Sequence, residues 1–347
     1  MSRSRALALL GFVLFLYVGT SVGHAVLDDA EALYASVAKQ MLASGDFVTP
    51  YADGVRFLDK PPLMYWLMAA GYRVLGVDAL AVRLPSIVAV AVISLLLAGC
   101  AARAGAPDAA LAAGLMSASS AGMFLFTRQA FPDALLVAFE ALAFASFLAW
   151  YWDDRGPRWP ALAFFAALAG GVMTKGLIGL LFPLGTALLF LLVRRQLGRL
   201  RASHAGLGAL VLLALVLPWH VWVARRNPGF LWHYVVEEHV LRFLNRREPH
   251  DYQSLPLWAF WALVPAWLFP WSAFLPAAAF GIRLRDLPAR LRDLAALSWC
   301  WVAVVMGFFC FSSRIEHYAL PVIPPLALLV ALATRDRHPA EAPRLER

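Results

Sequence analysis

Charge is what this sequence has least of. Asp, Glu, Lys and Arg make up 15% of its 347 residues, against roughly 25% in soluble domains. That shortage excludes an ordinary soluble globular protein. Cysteine is also scarce: Cys100, Cys300 and Cys310 all lie in apolar runs, which excludes a disulfide framework. There is no internal repeat and no low-complexity tract, so solenoids and collagen-like arrays are excluded too. The net charge of +8 does not signal nucleic acid, because the arginines are scattered between apolar runs in a pattern that reads as topology. What remains is 61% hydrophobic, with a mean hydropathy of +0.68. Long apolar runs at that hydropathy mean an integral membrane protein, with the lipid bilayer as its solvent.

A spanning helix needs ~20 mostly apolar residues. Ten segments qualify: about 6–25, 82–102, 107–126, 132–151, 159–174, 176–194, 205–223, 256–280, 294–312 and 317–334. The first follows Arg3 and Arg5 and could pass for a signal peptide, but with so many spans after it we read it as a retained helix. The stretch 61–77, "PPLMYWLMAAGYRVLGV", is shorter, aromatic and interrupted by Arg73, as an interfacial helix would be. The expected fold is therefore an all-α polytopic membrane protein, with about ten spans and interfacial amphipathic helices in the first loop.

Arginine clusters at 194–201 and 283–292 orient the chain by the positive-inside rule. Both termini are then cytoplasmic, and the loops 26–81 and 224–255 are external. Residues 1–334 form one transmembrane domain with loop 26–81 as its catalytic part, and 335–347 is a polar cytoplasmic tail. Asp28, Asp29, Glu31, Asp59, Lys60, Arg128, Asp133, Lys175, His239, Arg242, His250 and Arg314 all fall on the external face. The topology comes from the arginine clusters alone, so this convergence supports a functional external face.

Each stretch also has a plain structural explanation. "EALYASVAKQML" has a helical period, with Leu33, Val37 and Met41 on one face and Tyr34 beside them. Asp29 suits a helix N-cap equally well, although a cap does not call for Asp28, Asp29 and Glu31 together. Lys60, stiffened by Pro61 and Pro62, is a natural partner for a lipid phosphate or a lysine snorkelling to headgroups. Asp133 follows Pro132 at the start of a span, where an ionisable residue is a functional candidate or an ordinary first-turn acid. Glu140, two turns on, must face protein or water. Lys175 sits in a glycine-flanked turn, and Arg314 and His317 stand at the mouth of the last span, positions that interfacial anchors also take. The stretch 230–252 is rich in His, Glu and Arg but matches no zinc signature.

Taken in order, these stretches resemble the GT-C type membrane glycosyltransferases, the relatives of dolichyl-phosphate-mannose protein mannosyltransferases and of 4-amino-arabinose lipid A transferases. Asp29 and Glu31 precede Tyr34, then come Ser44-Gly45-Asp46-Phe47 and Asp59-Lys60-Pro61-Pro62-Leu63. "RQAFPDALLVAF", "MTKGLIGLLFP", "LPWHVWV", "EHVLRF" and "SSRIEHYALPVIPPLALL" follow in the family's order. The resemblance covers about residues 6–330. It implies a sugar donor on a polyprenyl phosphate and inverting transfer on the periplasmic face of a bacterial inner membrane. The acceptor would be a hydroxyl or phosphate of lipid A, another lipid or glycan, or protein. Asp29 is then the expected base and Asp133 a supporting acid. Because Ala30 separates Asp29 from Glu31, Asp28 shares the candidacy. Lys60, with Arg242, Arg314 and Lys175, would hold donor phosphate. Glu31, Tyr34, Arg128 and His317 would support the site, and Asp59 with His239 could hold a divalent metal. Many relatives carry a C-terminal periplasmic domain, so a partner subunit could supply that part. The rival readings are a non-catalytic assembly subunit and a lipid or glycan transporter.

Overall fold

A computed structural model describes residues 1–23, 25–26, 29–153, 158–248 and 254–335. Asp28, His250 and most of the expected tail, 336–347, therefore lie outside the described residues, as does the side chain of Asp29. Within them the fold is helical, with one two-residue hairpin. Helix α1 is Arg3–Gly19. Then come α2 (Asp29–Ser44), strands β1 (Tyr51–Ala52) and β2 (Val55–Arg56), and α3 (Leu63–Leu75). The bundle continues with α4 (Ala79–Arg103), α5 (Pro107–Ala118), α6 (Ala121–Arg128), α7 (Pro132–Tyr151), α8 (Arg158–Lys175), α9 (Ile178–Val193) and α10 (Ala205–Arg226). It closes with α11 (Leu257–Leu268), α12 (Leu275–Gly281), α13 (Ala289–Phe311) and α14 (Ile323–Thr334), the last led in by a 3₁₀ turn at Glu316–Val322.

Where they are described, the ten apolar segments are largely helical, but not all are straight. Among the described residues, five helices are long and apolar enough to cross a membrane, or up to seven if two bent pairs each count as one span. α5 and α6 meet at 48°, and α11 meets the segment Trp271–Gly281 at 103°. The second angle makes the candidate span over 256–280 a sharply bent pair. Pro265 lies inside α11, and Pro270 follows it at the bend. A proline donates no hydrogen bond and clashes with the preceding turn, so the helix stops there.

Both helices expected in the first loop are present. α2 runs from Asp29, and its apolar stripe buries Val37, Ala38 and Met41. The hairpin turns through Asp53 and Gly54, both at positive φ, 48° and 79°. That is the geometry an Asp-Gly pair favours. α3 begins after Pro61-Pro62 and buries Met64, Tyr65 and Met68. Contacts fasten this loop to the C-terminal end of α10. Trp219 Nε1 donates to the Val48 carbonyl at 2.9 Å, and Asn227 Nδ2 donates to Thr49 Oγ1 at 3.0 Å.

Candidate functional site

A helical stretch, Trp232–Leu241, carries the hub of the site. Its hydrogen bonds follow the wider i→i+5 pattern, a form that recurs at functional sites. Glu238 points inward from it, and its carboxylate is 2% exposed. Lys60 Nζ reaches Glu238 Oε2 at 3.2 Å, Arg242 Nη1 reaches the same oxygen at 2.6 Å, and Arg247 Nε reaches Oε1 at 2.6 Å. Arg247 also donates to Asp59 Oδ2 at 3.0 Å, and His233 Nε2 lies 2.9 Å from Asp59 Oδ1. Asp59 and Lys60, set by the Pro-Pro pair behind them, thus meet a segment some 178 residues away. Burial raises the Asp59 pKa. Lys60, the His233 hydrogen bond and Arg247 outweigh it and hold the carboxyl below its usual range. Burial lowers the Lys60 ammonium pKa despite Glu238.

A second cluster sits across from it. Asp133, in the first turn of α7, receives Lys175 Nζ at 2.5 Å. His317 Nε2 lies 3.9 Å from the other Asp133 oxygen, its ring stacked on Phe131 with centroids 4.8 Å apart. Lys175 Nζ also stands 4.4 Å from the centre of the Tyr318 ring, a cation–π distance. The turn after Lys175 needs glycine twice over. Gly176 has φ +81°, and a Cβ there would collide with the His239 ring. That close approach lets His239 Nε2 accept from Leu177 N–H at 3.1 Å, while its Nδ1 faces the Tyr234 carbonyl.

Between the two clusters lies a cavity of about 470 Å³. Lys60, Lys175 and Arg242 line it beside Asp59, Asp133 and Glu238. Its remaining wall is mostly apolar, including Leu136, Ile178, Leu181, Phe182, Phe243 and Phe308. Such a cavity can take an anionic head at the cations and a hydrocarbon chain along the rest.

Of the residues singled out from sequence, Asp59, Lys60, Asp133, Lys175, His239 and Arg242 all line this cavity. Tyr34, packed 5.8 Å from the Tyr65 ring, lies within electrostatic reach of both halves. Burial raises its hydroxyl pKa, and the charges of Asp133 and Asp59 add to the rise. Arg314, Arg128, Glu31 and Glu140 make contacts elsewhere. Arg314 donates to the backbone carbonyls of Leu255, Phe309 and Ser312, bracing the start of the segment before α11. Arg128 donates to the Thr20 carbonyl at 2.8 Å. Glu31 pairs with Arg83. Glu140 is buried in protein near Phe144, Thr186 and Trp301, as a mid-span acid must be.

The metal pairing differs from expectation. Both ring nitrogens of His239 are turned to the backbone, so the structure does not set it beside Asp59. Asp59, His233 and Glu238 instead offer ligand atoms within 4.8 Å of one another. Two carboxylates and an imidazole are a donor set that fits zinc or a similar divalent ion. His233, Glu238, Arg247, Tyr318 and Arg83 are the residues that reading the sequence missed. The i,i+4 spacings His233–Glu237 and Glu238–Arg242 were legible, but which partners they would meet was not.

Residues 59–222 match the family described as dolichyl-phosphate-mannose-protein mannosyltransferase. The backbone superposes on the crystal structure of ArnT from Cupriavidus metallidurans bound to undecaprenyl phosphate. The TM-score is 0.84 at 25% identity, over 96% of this chain and 60% of that one. This is the polytopic helical fold of the GT-C type. An undecaprenyl phosphate-α-4-amino-4-deoxy-L-arabinose arabinosyl transferase of Pseudomonas paraeruginosa is 32% identical over 96% of this chain, and one of Sodalis glossinidius is 30% identical over 94%. The chain spans about 60% of the length of these relatives. The archaeal oligosaccharyltransferase AglB from Archaeoglobus fulgidus shares the GT-C fold at TM-score 0.61 and 12% identity.

Proposed function

We propose that the protein transfers a sugar from a polyprenyl-phosphate donor to an acceptor hydroxyl or phosphate, with inversion, on the external face of a bacterial inner membrane. The cavity carries this reading: Lys60, Lys175 and Arg242 line it beside Asp59, Asp133 and Glu238, and most of its other wall is apolar. A phosphate on a hydrocarbon tail has that same division. The likeness to arabinosyl transferases and to a structure bound to undecaprenyl phosphate supports the same donor class.

In this reading Lys60, Lys175 and Arg242 bind the phosphate and stabilise the charge that grows on it as the sugar departs. Asp29 is the general base that takes the acceptor proton, with Asp28 next to it as the alternate. Asp133, held by Lys175, orients the sugar or the acceptor. A divalent ion at Asp59, His233 and Glu238 would tie the first loop to the 232–241 segment and add positive charge near the phosphate. The parts of the relatives that this chain does not span, or a partner subunit, would complete the acceptor site. Sugar transfer from an undecaprenyl-phosphate sugar in proteoliposomes tests the reading. Lys60→Ala should weaken donor binding and Asp29→Asn should abolish turnover. Wild-type rates in both would overturn these roles.

A further inference from the structure

Arg83 belongs to no part of that chemistry as read so far. It sits in the first turns of α4, 3% exposed, and does not line the cavity. Its guanidinium grips Glu31 with two parallel bonds, Nε to Oε1 at 2.8 Å and Nη2 to Oε2 at 3.1 Å. Nη2 also donates to the Ala25 carbonyl at 2.9 Å, and Nη1 to the Ser21 carbonyl at 3.4 Å. One side chain therefore holds the end of the first span, the linker after it, and the first turn of α2. One turn further along α4, Ser86 Oγ donates to the Phe131 carbonyl at 3.5 Å. Phe131 is the residue before Pro132 and the helix that bears Asp133.

A buried ion pair such as Glu31–Arg83 is seldom worth more to stability than an apolar pair of similar volume. What a two-pronged guanidinium adds is direction, because it fixes the angle of its carboxylate as well as the distance. We propose that Arg83 is a positioning residue. By holding Ser21, Ala25 and Glu31 it sets the start of α2, where Asp29 lies, against Asp133, which the same helix braces. This rests on the glycosyl-transfer reading given above.

Full-length protein in nanodiscs, as Arg83→Lys, Arg83→Gln and the uncharged pair Arg83→Gln/Glu31→Gln, tests it with two separate readouts. The first is hydrogen exchange. It should rise over residues 20–34 in Arg83→Gln and stay as in wild type over 232–245. The second is steady-state transfer from an undecaprenyl-phosphate sugar. Since a displacement near 1 Å costs ~100-fold in rate, kcat should fall by about that factor while KM for the donor stays near wild type. Lysine should recover part of the loss. Titration with undecaprenyl phosphate should still find one site per chain in every variant. Unchanged exchange over 20–34, or an unchanged kcat, would overturn the proposal. So would a loss of binding sites in proportion to kcat, which is the mark of plain unfolding. If Arg83→Gln does not fold, the double variant leaves no buried charge and takes its place. Failure of the wild type to transfer any sugar would sink the functional reading alone, since the exchange data still decide whether Arg83 holds α2.

Discussion

Replacing Glu238 by alanine removes the one carboxylate that Lys60, Arg242 and Arg247 share, at 3.2, 2.6 and 2.6 Å. The Glu238 side chain is 2% exposed, while Lys60, Arg242 and Arg247 are 16%, 18% and 15% exposed. Breaking a buried pair by deleting one partner costs ~3–5 kcal/mol, because a charge is left uncompensated in a low-dielectric place. Water reaches all three cations, so the lower end, ~3 kcal/mol, is expected. Glu238→Gln keeps the shape and an acceptor oxygen, and should lose ~1.5–3 kcal/mol, the worth of a charged hydrogen bond. Lipid phosphate brings a negative charge back to the same cations. Undecaprenyl phosphate should therefore stabilise both variants more than it stabilises wild type, since a ligand that binds the folded state adds RT ln(1 + [L]/Kd). The assay is thermal unfolding in nanodiscs, with and without the lipid. Equal lipid-induced shifts in wild type and variants, with unchanged stability of the lipid-free forms, would refute the claim that these cations converge on a phosphate.

Other predictions follow from neighbouring geometry. Asp28→Asn and Asp29→Asn, compared one at a time, should separate the base from its neighbour: one should lose turnover by two or more orders of magnitude and the other far less, read by single-turnover transfer. Gly176→Ala must strain a φ of +81° and push into the His239 ring. It should destabilise the turn and weaken donor binding through Lys175, read by lipid titration. Zinc should bind the purified protein with His233→Ala weaker than wild type and His239→Ala close to it, measured by metal content after dialysis. Lys175→Met should cost more stability than Lys39→Met, because Lys175 holds the buried Asp133 while Lys39 is exposed. Paired denaturation curves check this.

The sequence alone determined most of the membrane-type elements. Apolar run length marked the long helical segments, because the bilayer admits little else. Arginine clusters and the order Asp29, Lys60, Asp133, Lys175 and Arg242 singled out residues several of which the fold then gathers around one cavity. Pro61-Pro62 specified the start of α3, since they act through local backbone sterics. Only the tertiary structure decided who pairs with whom. Glu238 became the hub for Lys60, His233 rather than His239 came to face Asp59, Arg314 went to backbone carbonyls, and Glu31 turned away to Arg83. Likewise the apparent single span at 256–280 bends by 103°. Each of these depends on where a side chain lands after segments tens to hundreds of residues apart have packed. Periodicity along one helix says which face a residue occupies, but the charge it meets there belongs to another element, and only packing brings the two within a few ångströms.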